Sequence, residues 1–488
     1  MNTEGKTMEK EGIPEKTEPP QERRRRLALQ IVLVFTASVS YFVMGMSLSW
    51  PNLVESHLSV DNSTLFGNQL YLHPWQMDML NSLLSIGSVF GLLLAGWIVR
   101  RLGRQKSLIA AVLPGVLGWA MLGFSYNAYM MLIGRFFDGI TSGMVTLAVM
   151  TYATEIPDTA FRGTISTITC LMFLMGACVC TAIGIALTWY YVALGNMSVL
   201  LVYICIVPFL PESPTFLIVT GQEKRATKVL ERLRGAYIDI GNEISLLKKM
   251  NDEMMSNTSW SFLLHRRVQK RILVLSMLFI VQAFSGTAVL RANAVRILHD
   301  SGVTVNKTMF ATLLLLLPIG GFFVLWSLVD RAGRKVCLAI SLTLMSVTYI
   351  FLGTKVYLQE PTVVSLVPLE PNSTASSPPY FTAQSSGEGA WWITVLGLIV
   401  CIFAMNIGIE SLPWQLSSEY FPTVIRSQAM SVSVAIGCFI AATALQLYSY
   451  MNEAFTTAGL FWAYAAVSGL GVVFVVMCVP ETANKIVG

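Results

Sequence analysis

Charge is what this sequence has least of. Only 12% of its 488 residues are Asp, Glu, Lys or Arg, against about 25% in a soluble domain. A water-soluble fold of this length is therefore excluded. Histidine is scarcer still: His57, His73, His265 and His299 are all there is, and they are scattered. No metal-ligand spacing, phosphate-cradling loop or nucleophile–base pattern is present. Nothing points to an enzyme, a cofactor, a metal or a nucleic-acid partner. The eight cysteines all fall in or at the ends of apolar runs, so no structural disulfide is expected. A cleavable signal is missing too. Residues 1–26 are polar and end in "RRRR", and the first apolar run, 27–50, is too long for a signal-peptide core.

What is there is apolar length. Hydrophobic residues make up 54% of the chain, and they come as runs of about 20, enough to cross a bilayer as helices. Lipid admits such helices because their backbone hydrogen bonds close internally. The class is an all-α polytopic membrane protein. Twelve spans are expected, at 27–50, 76–99, 106–126, 128–152, 164–188, 191–210, 270–298, 308–329, 335–357, 391–414, 424–448 and 457–479. The polar stretch 211–269, with "GQEKRATKVLERLRG", reads as short amphipathic helices.

Charge bias orients the chain. With both termini inside, the cytoplasmic segments hold 28 of the 33 Lys and Arg residues, as the positive-inside rule requires. Five N-x-Ser/Thr triplets give an independent check. Asn62, Asn196, Asn306 and Asn372 are assigned to outside segments as glycan acceptors, and Asn257 to the large inside loop. The expected location is the plasma membrane, multi-pass, with both termini cytoplasmic.

Three motifs occur twice. "GWIVRRLGRQK" (96–106) parallels "WSLVDRAGRKV" (326–336), "TEIPDTAFRG" (154–163) parallels "SEYFPTVIRS" (418–427), and "PESP" (211–214) parallels "PET" (480–482). Each copy sits at a cytoplasmic helix end, the mark of two six-helix halves related by duplication. With "GRFFDG" (134–139), the set resembles the sugar porter branch of the major facilitator superfamily, to which animal glucose carriers and insect trehalose carriers belong. The resemblance covers about residues 30–485. It implies the major facilitator fold, with twelve transmembrane helices in two six-helix halves. A cytoplasmic tail (1–26) precedes the first half (27–210). A cytoplasmic linker (211–269) leads to the second half (270–479) and a short tail (480–488).

The resemblance also implies roles. Arg101, Arg104, Glu155, Arg162 and Glu212 should gather at the inner end of the first half, and Asp330, Arg331, Arg334, Glu419, Arg426 and Glu481 at that of the second. Arginine forks bind carboxylates bidentately, and such pairs can latch the inner face in one state. The plainer reading makes them positive-inside signals and helix caps. Arg100 stands where the family has an aspartate, and Trp326 where the first copy has Gly96. In the seventh span, Gln282, Ser285 and Gly286 match the family's sugar-binding stretch, while Ala283, Ala288 and Ala292-Asn293 replace its second glutamine, its asparagine and its tyrosine pair. Cys170 and Pro318 replace two further polar groups, and Asn406 a glutamate. Gln282, Asn293, Asn406 and Trp414 are the candidate substrate contacts; the alternative for the polar ones is helix–helix hydrogen bonding. Arg291 either snorkels at the outer interface or faces the outer vestibule.

Function follows from the resemblance: a monomeric, facilitative carrier of a sugar or sugar-like solute, hexose or trehalose, working in a lipid bilayer by alternating access. Proton-driven relatives carry an aspartate in the first span, and residues 27–50 contain no acidic residue. Two alternatives stand beside this: a nutrient sensor with little transport, for which the segment after Val479 offers little tail, and a carrier of a non-sugar solute.

Overall fold

A computed structural model describes residues 19–58, 61, 63–158, 162–235, 240–257, 266–292, 320–321, 333–359, 391–421 and 426–480. Among the described residues, each expected run is helical over most of its length. Helices α1 (Pro20–Ala37) and α2 (Val39–Leu58) form the first span, joined at Ser38, whose hydroxyl donates to the Val34 carbonyl. The rest of the first half is α3 (Pro74–Leu102), α4 (Arg104–Gly123), α5 (Ala128–Glu155), α6 (Arg162–Gly184) and α7 (Trp189–Ile206). Three polar-segment helices follow, α8 (Pro214–Val219), α9 (Glu223–Arg234) and α10 (Ile240–Asn257). The second half contributes α11 (Arg266–Phe284), α12 (Thr287–Ala292), α13 (Arg334–Gln359), α14 (Trp391–Ile407), α15 (Leu412–Glu419), α16 (Arg426–Gln446) and α17 (Tyr448–Cys478). Ten spans are long and apolar enough to cross a membrane, with the shorter Ile168–Gly184 beside them, among the described residues. The span expected at 308–329 lies outside the described residues except for 320–321.

Helix boundaries follow local chemistry. Asn127 caps α5 by accepting from the Met130 N–H at 2.8 Å, and Gln76 reaches back to the His73 N–H at the start of α3. In α9, Ala226, Leu230, Leu233 and Arg234 are buried, one stripe of a helix that is otherwise polar. The first helix begins earlier than its apolar run suggests. Pro20 opens it, and the arginines that were expected to end a tail lie within it.

Packing divides the chain in two. One buried cluster draws on residues from Leu33 to Leu233, and a separate one on residues from Leu275 to Val479. Small residues let helices touch: a Cβ on Gly45 of α2 or on Gly176 of α6 would collide with the backbone carbonyl of Phe173 or Phe42. Between the halves, α3 lies along α16. Leu92 packs with Val434 and Ala435 at mid-length. Nearer the end remote from α8–α10, Ser82 Oγ donates to Gln446 Oε1 at 2.8 Å. At that end α12 also packs against α2.

Candidate functional site

Two broken helices meet in the second half. Helix α11 stops at Phe284 and α12 resumes at Thr287; α14 stops at Ile407 and α15 resumes at Leu412. The Gln282 Nε2 donates to the backbone carbonyl of Glu410 at 3.0 Å, tying the first break to the second. The hydroxyls of Ser285 and Thr287 both donate to the Gln282 carbonyl, at 2.9 and 2.7 Å, and the Tyr349 hydroxyl donates to the Ser285 carbonyl at 2.9 Å. Gly286 has φ +85°, and a Cβ there would press on the Tyr464 ring and the Tyr349 hydroxyl. Only glycine holds this turn without strain. Broken helices whose freed backbone groups are satisfied by protein partners are how membrane carriers build polar sites at mid-depth.

The candidate contacts sit around these breaks. Gln282 and Asn406 are buried. The Asn406 Nδ2 donates to the Ile402 carbonyl of its own helix at 2.8 Å. Both side chains thus spend an N–H on the backbone, and no described residue donates to Gln282 Oε1 or Asn406 Oδ1. Trp414, in the first turn of α15, is 37% exposed and packs edge-on against Phe279, ring centroids 5.5 Å apart. Ala283 is buried, Ala288 packs against the second core, and Cys170 is half-buried on α6. Asn293 and Pro318 lie outside the described residues.

At the end carrying α8–α10, the first-half charges assemble. Arg104 makes a bidentate pair with Glu155, 2.8 and 2.7 Å. The Glu212 carboxylate accepts from the backbone N–H groups of Arg104, Gln105 and Ser213 at 2.7, 3.2 and 2.9 Å, capping α4. Ser213 Oγ donates to Glu155. Arg101 is exposed and takes no part. Arg162 opens α6, and Glu419 and Arg426 stand at the end of α15 and the start of α16, but their side chains lie outside the described residues, as do Asp330, Arg331 and Glu481. Arg334 opens α13, half-buried.

Two charge networks were missed. Arg26 of α1 and Arg234 of α9 both pair with Asp158, and Arg234 also pairs with Glu243 of α10 at 2.9 Å. Gln30 adds hydrogen bonds to Asp158 and to the Leu233 carbonyl. This buries the end of "RRRR" and fixes the polar-segment helices to the first half. The second is inside the helical body. Arg135 and Asp138 of α5 pair at 2.7 Å, both buried, with further Arg135 bonds to the Ser47 hydroxyl and carbonyl and the Leu80 carbonyl. The i, i+3 spacing in "GRFFDG" was its visible signal.

Asn196 requires a correction. It does not lie in an outside segment; it is in the middle of α7 and 1% exposed. A glycan has no access to it, because the apolar run 189–206 continues through it as helix. Asn62, Asn306 and Asn372 lie outside the described residues.

A family model described as "Sugar (and other) transporter" matches residues 33–487. The facilitated trehalose transporter Tret1 of Apis mellifera ligustica is 26% identical over 94% of this chain and 87% of its own length. Its counterpart from Drosophila virilis is 24% identical over 93% of this chain, which spans about half (48%) of that longer protein. Among solved structures, the proton:xylose symporter XylE bound to 6-bromo-6-deoxy-D-glucose superposes with a TM-score of 0.72 at 20% identity, covering 94% of this chain and 98% of that one. The inward-open form of XylE from E. coli gives 0.70 at 19% identity, covering 93% and 98%. At such identities these structures establish the fold, and the fold is that of the major facilitators. The family match spans nearly the whole chain, the repeated charge motifs fall within it, and the protein belongs to the sugar (and other) transporter family, a membrane carrier and not an enzyme.

Proposed function

We propose that this carrier moves a sugar down its gradient without proton coupling, with trehalose the first candidate and hexoses the second. The observation that carries the passive reading is the Arg135–Asp138 pair. Both residues are on α5, one turn apart, and their partners Ser47 and Leu80 are on α2 and α3 of the same half. A driving proton needs a carboxylate whose surroundings change as the halves rock. Here helix geometry fixes the separation, and what the first span presents to the pair is the Ser47 hydroxyl and carbonyl, not a carboxylate.

The solute's place in this reading is the pair of helix breaks. Gln282 Oε1 and Asn406 Oδ1 accept from sugar hydroxyls, and the Trp414 ring forms an apolar wall for a sugar face. The α8–α10 end is cytoplasmic and the opposite end, where Ser82 meets Gln446, faces outside, following the charge bias. The Arg104–Glu155–Glu212 cluster, with its second-half counterpart around Arg334, Glu419 and Arg426, holds the inner face in one state. Purified protein in liposomes, offered a panel of trehalose, hexoses and non-sugar solutes, tests the assignment. Saturable uptake of trehalose or a hexose is expected; uptake confined to non-sugar solutes refutes it.

A further inference from the structure

The turn between α3 and α4 carries three cations that pair with no described carboxylate. Arg100 and Arg101 lie in the last turn of α3 and Lys106 in the first turn of α4, and all three are exposed. Arg104, between them, turns inward to Glu155. Arg100 donates its Nε–H to the Gly96 carbonyl of its own helix at 2.9 Å. Gly103 alone separates the two helices. Its φ of +86° reverses the chain there and keeps the three charges together.

These charges end two apolar stripes. On α3, Phe90, Leu93, Leu94 and Trp97 are exposed. Their spacing of three and four residues puts them on one helix face, and Arg100 and Arg101 continue that face beyond Trp97. On α4, Lys106 shares a face in the same way with the exposed Leu113 and Leu117. Both helices pack on α5. A Cβ on Gly91 of α3 would strike the Ile140 carbonyl, and one on Gly118 of α4 would lie 2.8 Å from the Gly134 carbonyl oxygen. Both stripes therefore point away from α5, outward from the bundle. Each helix is long and apolar enough to cross a membrane, so an outward apolar stripe meets acyl chains. The cations at its end then stand at headgroup level, with the Trp97 ring at the boundary.

We propose that the α3–α4 turn binds the headgroup of an anionic phospholipid, with Arg100, Arg101 and Lys106 on its phosphate and acid oxygens. Arginine forks take phosphate oxygens bidentately. Three like charges held this close repel one another, and a bound anion removes the repulsion. A soluble anion would meet the charges as well. The apolar stripes that lead to them favour an anion carried on acyl chains. The resembling family has an aspartate where this chain has Arg100, so the cationic trio is this chain's own. The site does not depend on which solute the carrier moves.

The test uses the full-length protein in nonionic detergent, with dioleoylphosphatidylserine or dioleoylphosphatidylcholine added as mixed micelles. Native mass spectrometry counts the retained lipids. The wild type should retain phosphatidylserine in preference and melt at a higher temperature with it than with phosphatidylcholine. Arg100→Gln, Arg101→Gln and Lys106→Gln should each cut that preference about 5-fold, the effect of one basic residue at a membrane surface. The control is Arg24→Gln with Arg25→Gln, at exposed arginines of α1, which should leave the preference unchanged. An equal loss in the control would show a diffuse positive surface, and an unchanged preference in the α3–α4 variants a turn that binds no lipid; either result overturns the proposal. Glycerol 3-phosphate should not reproduce the rise in melting temperature. If it does so in full, the turn belongs to a soluble phosphate and the proposal fails. Should a variant fail to fold, a photoreactive phosphatidylserine added to the wild type decides. Crosslinks are expected within residues 90–106, and their absence there overturns the proposal.

Discussion

The Asp78 carboxylate, fully buried near the start of α3, accepts a hydrogen bond from the backbone N–H of Ser449 in the first turn of α17, 3.2 Å away. The two residues belong to opposite halves. The charge also sits at the positive end of a helix dipole. With Ser82–Gln446 one turn below, it closes the seam between α3 and α16–α17 at the end remote from α8–α10. Alternating access requires that this end open.

Asp78→Ala should therefore favour the opposite state. A hydrogen bond to a charged group contributes about 1.5–3 kcal/mol, so the ratio of the two states should shift roughly 10- to 160-fold if the bond exists in only one of them. Spin labels at the exposed positions Tyr71 and Tyr450 should move apart in the variant, and net transport should slow. Unchanged label distances at wild-type transport would show that the contact survives the cycle and is not part of a gate.

The Arg135–Asp138 pair predicts a strongly non-additive pattern. Removing one partner leaves a buried, uncompensated charge, at a cost of about 3–5 kcal/mol. Arg135→Gln and Asp138→Asn should each lower the melting temperature and surface level sharply. The double variant should recover much of the loss. Additive losses in the double variant would mean that each charge has an independent partner.

Gln282→Ala should weaken solute binding about 2- to 12-fold, the value of one net hydrogen bond of about 0.5–1.5 kcal/mol. The same change removes the tie to the Glu410 carbonyl, so the measurement must separate binding from breakage of the site. Equilibrium binding of the solute, compared with the melting temperature of the ligand-free variant, does this. Unaltered affinity would remove Gln282 from the list of contacts. For glucose itself, weak binding is expected, since Cys170, Ala283 and Ala288 offer no polar replacement for the groups that glucose carriers use.

Orientation is checked by glycans. Asn62→Gln and Asn372→Gln should each abolish part of a glycosidase-sensitive gel shift, whereas Asn196→Gln and Asn257→Gln should leave migration unchanged. A shift that depends on Asn257 would invert the topology.

Fold and spans were legible because lipid imposes one pattern: a run of about 20 apolar residues has no other stable form in a bilayer. The first-half cluster of Arg104, Glu155 and Glu212 was legible because duplication repeats its motifs. The Arg26–Asp158–Arg234–Glu243 network was not. Its members come from four segments of the chain, and only the docking of α9 and α10 brings them together. Asn196 misled because a sequon is three residues of chemistry without depth, and it fell inside an apolar run. The exact partner of Gln282 was hidden for another reason. It is a backbone carbonyl, released by a helix break that side-chain identity does not announce.

The most direct measurement is the end point of uptake. Purified protein in sealed liposomes, given labelled trehalose under an inward proton gradient, should fill to the external concentration and no further, and a protonophore should change nothing. Accumulation above the external concentration that the protonophore abolishes would contradict passive transport and return Asp138 to consideration as a proton carrier.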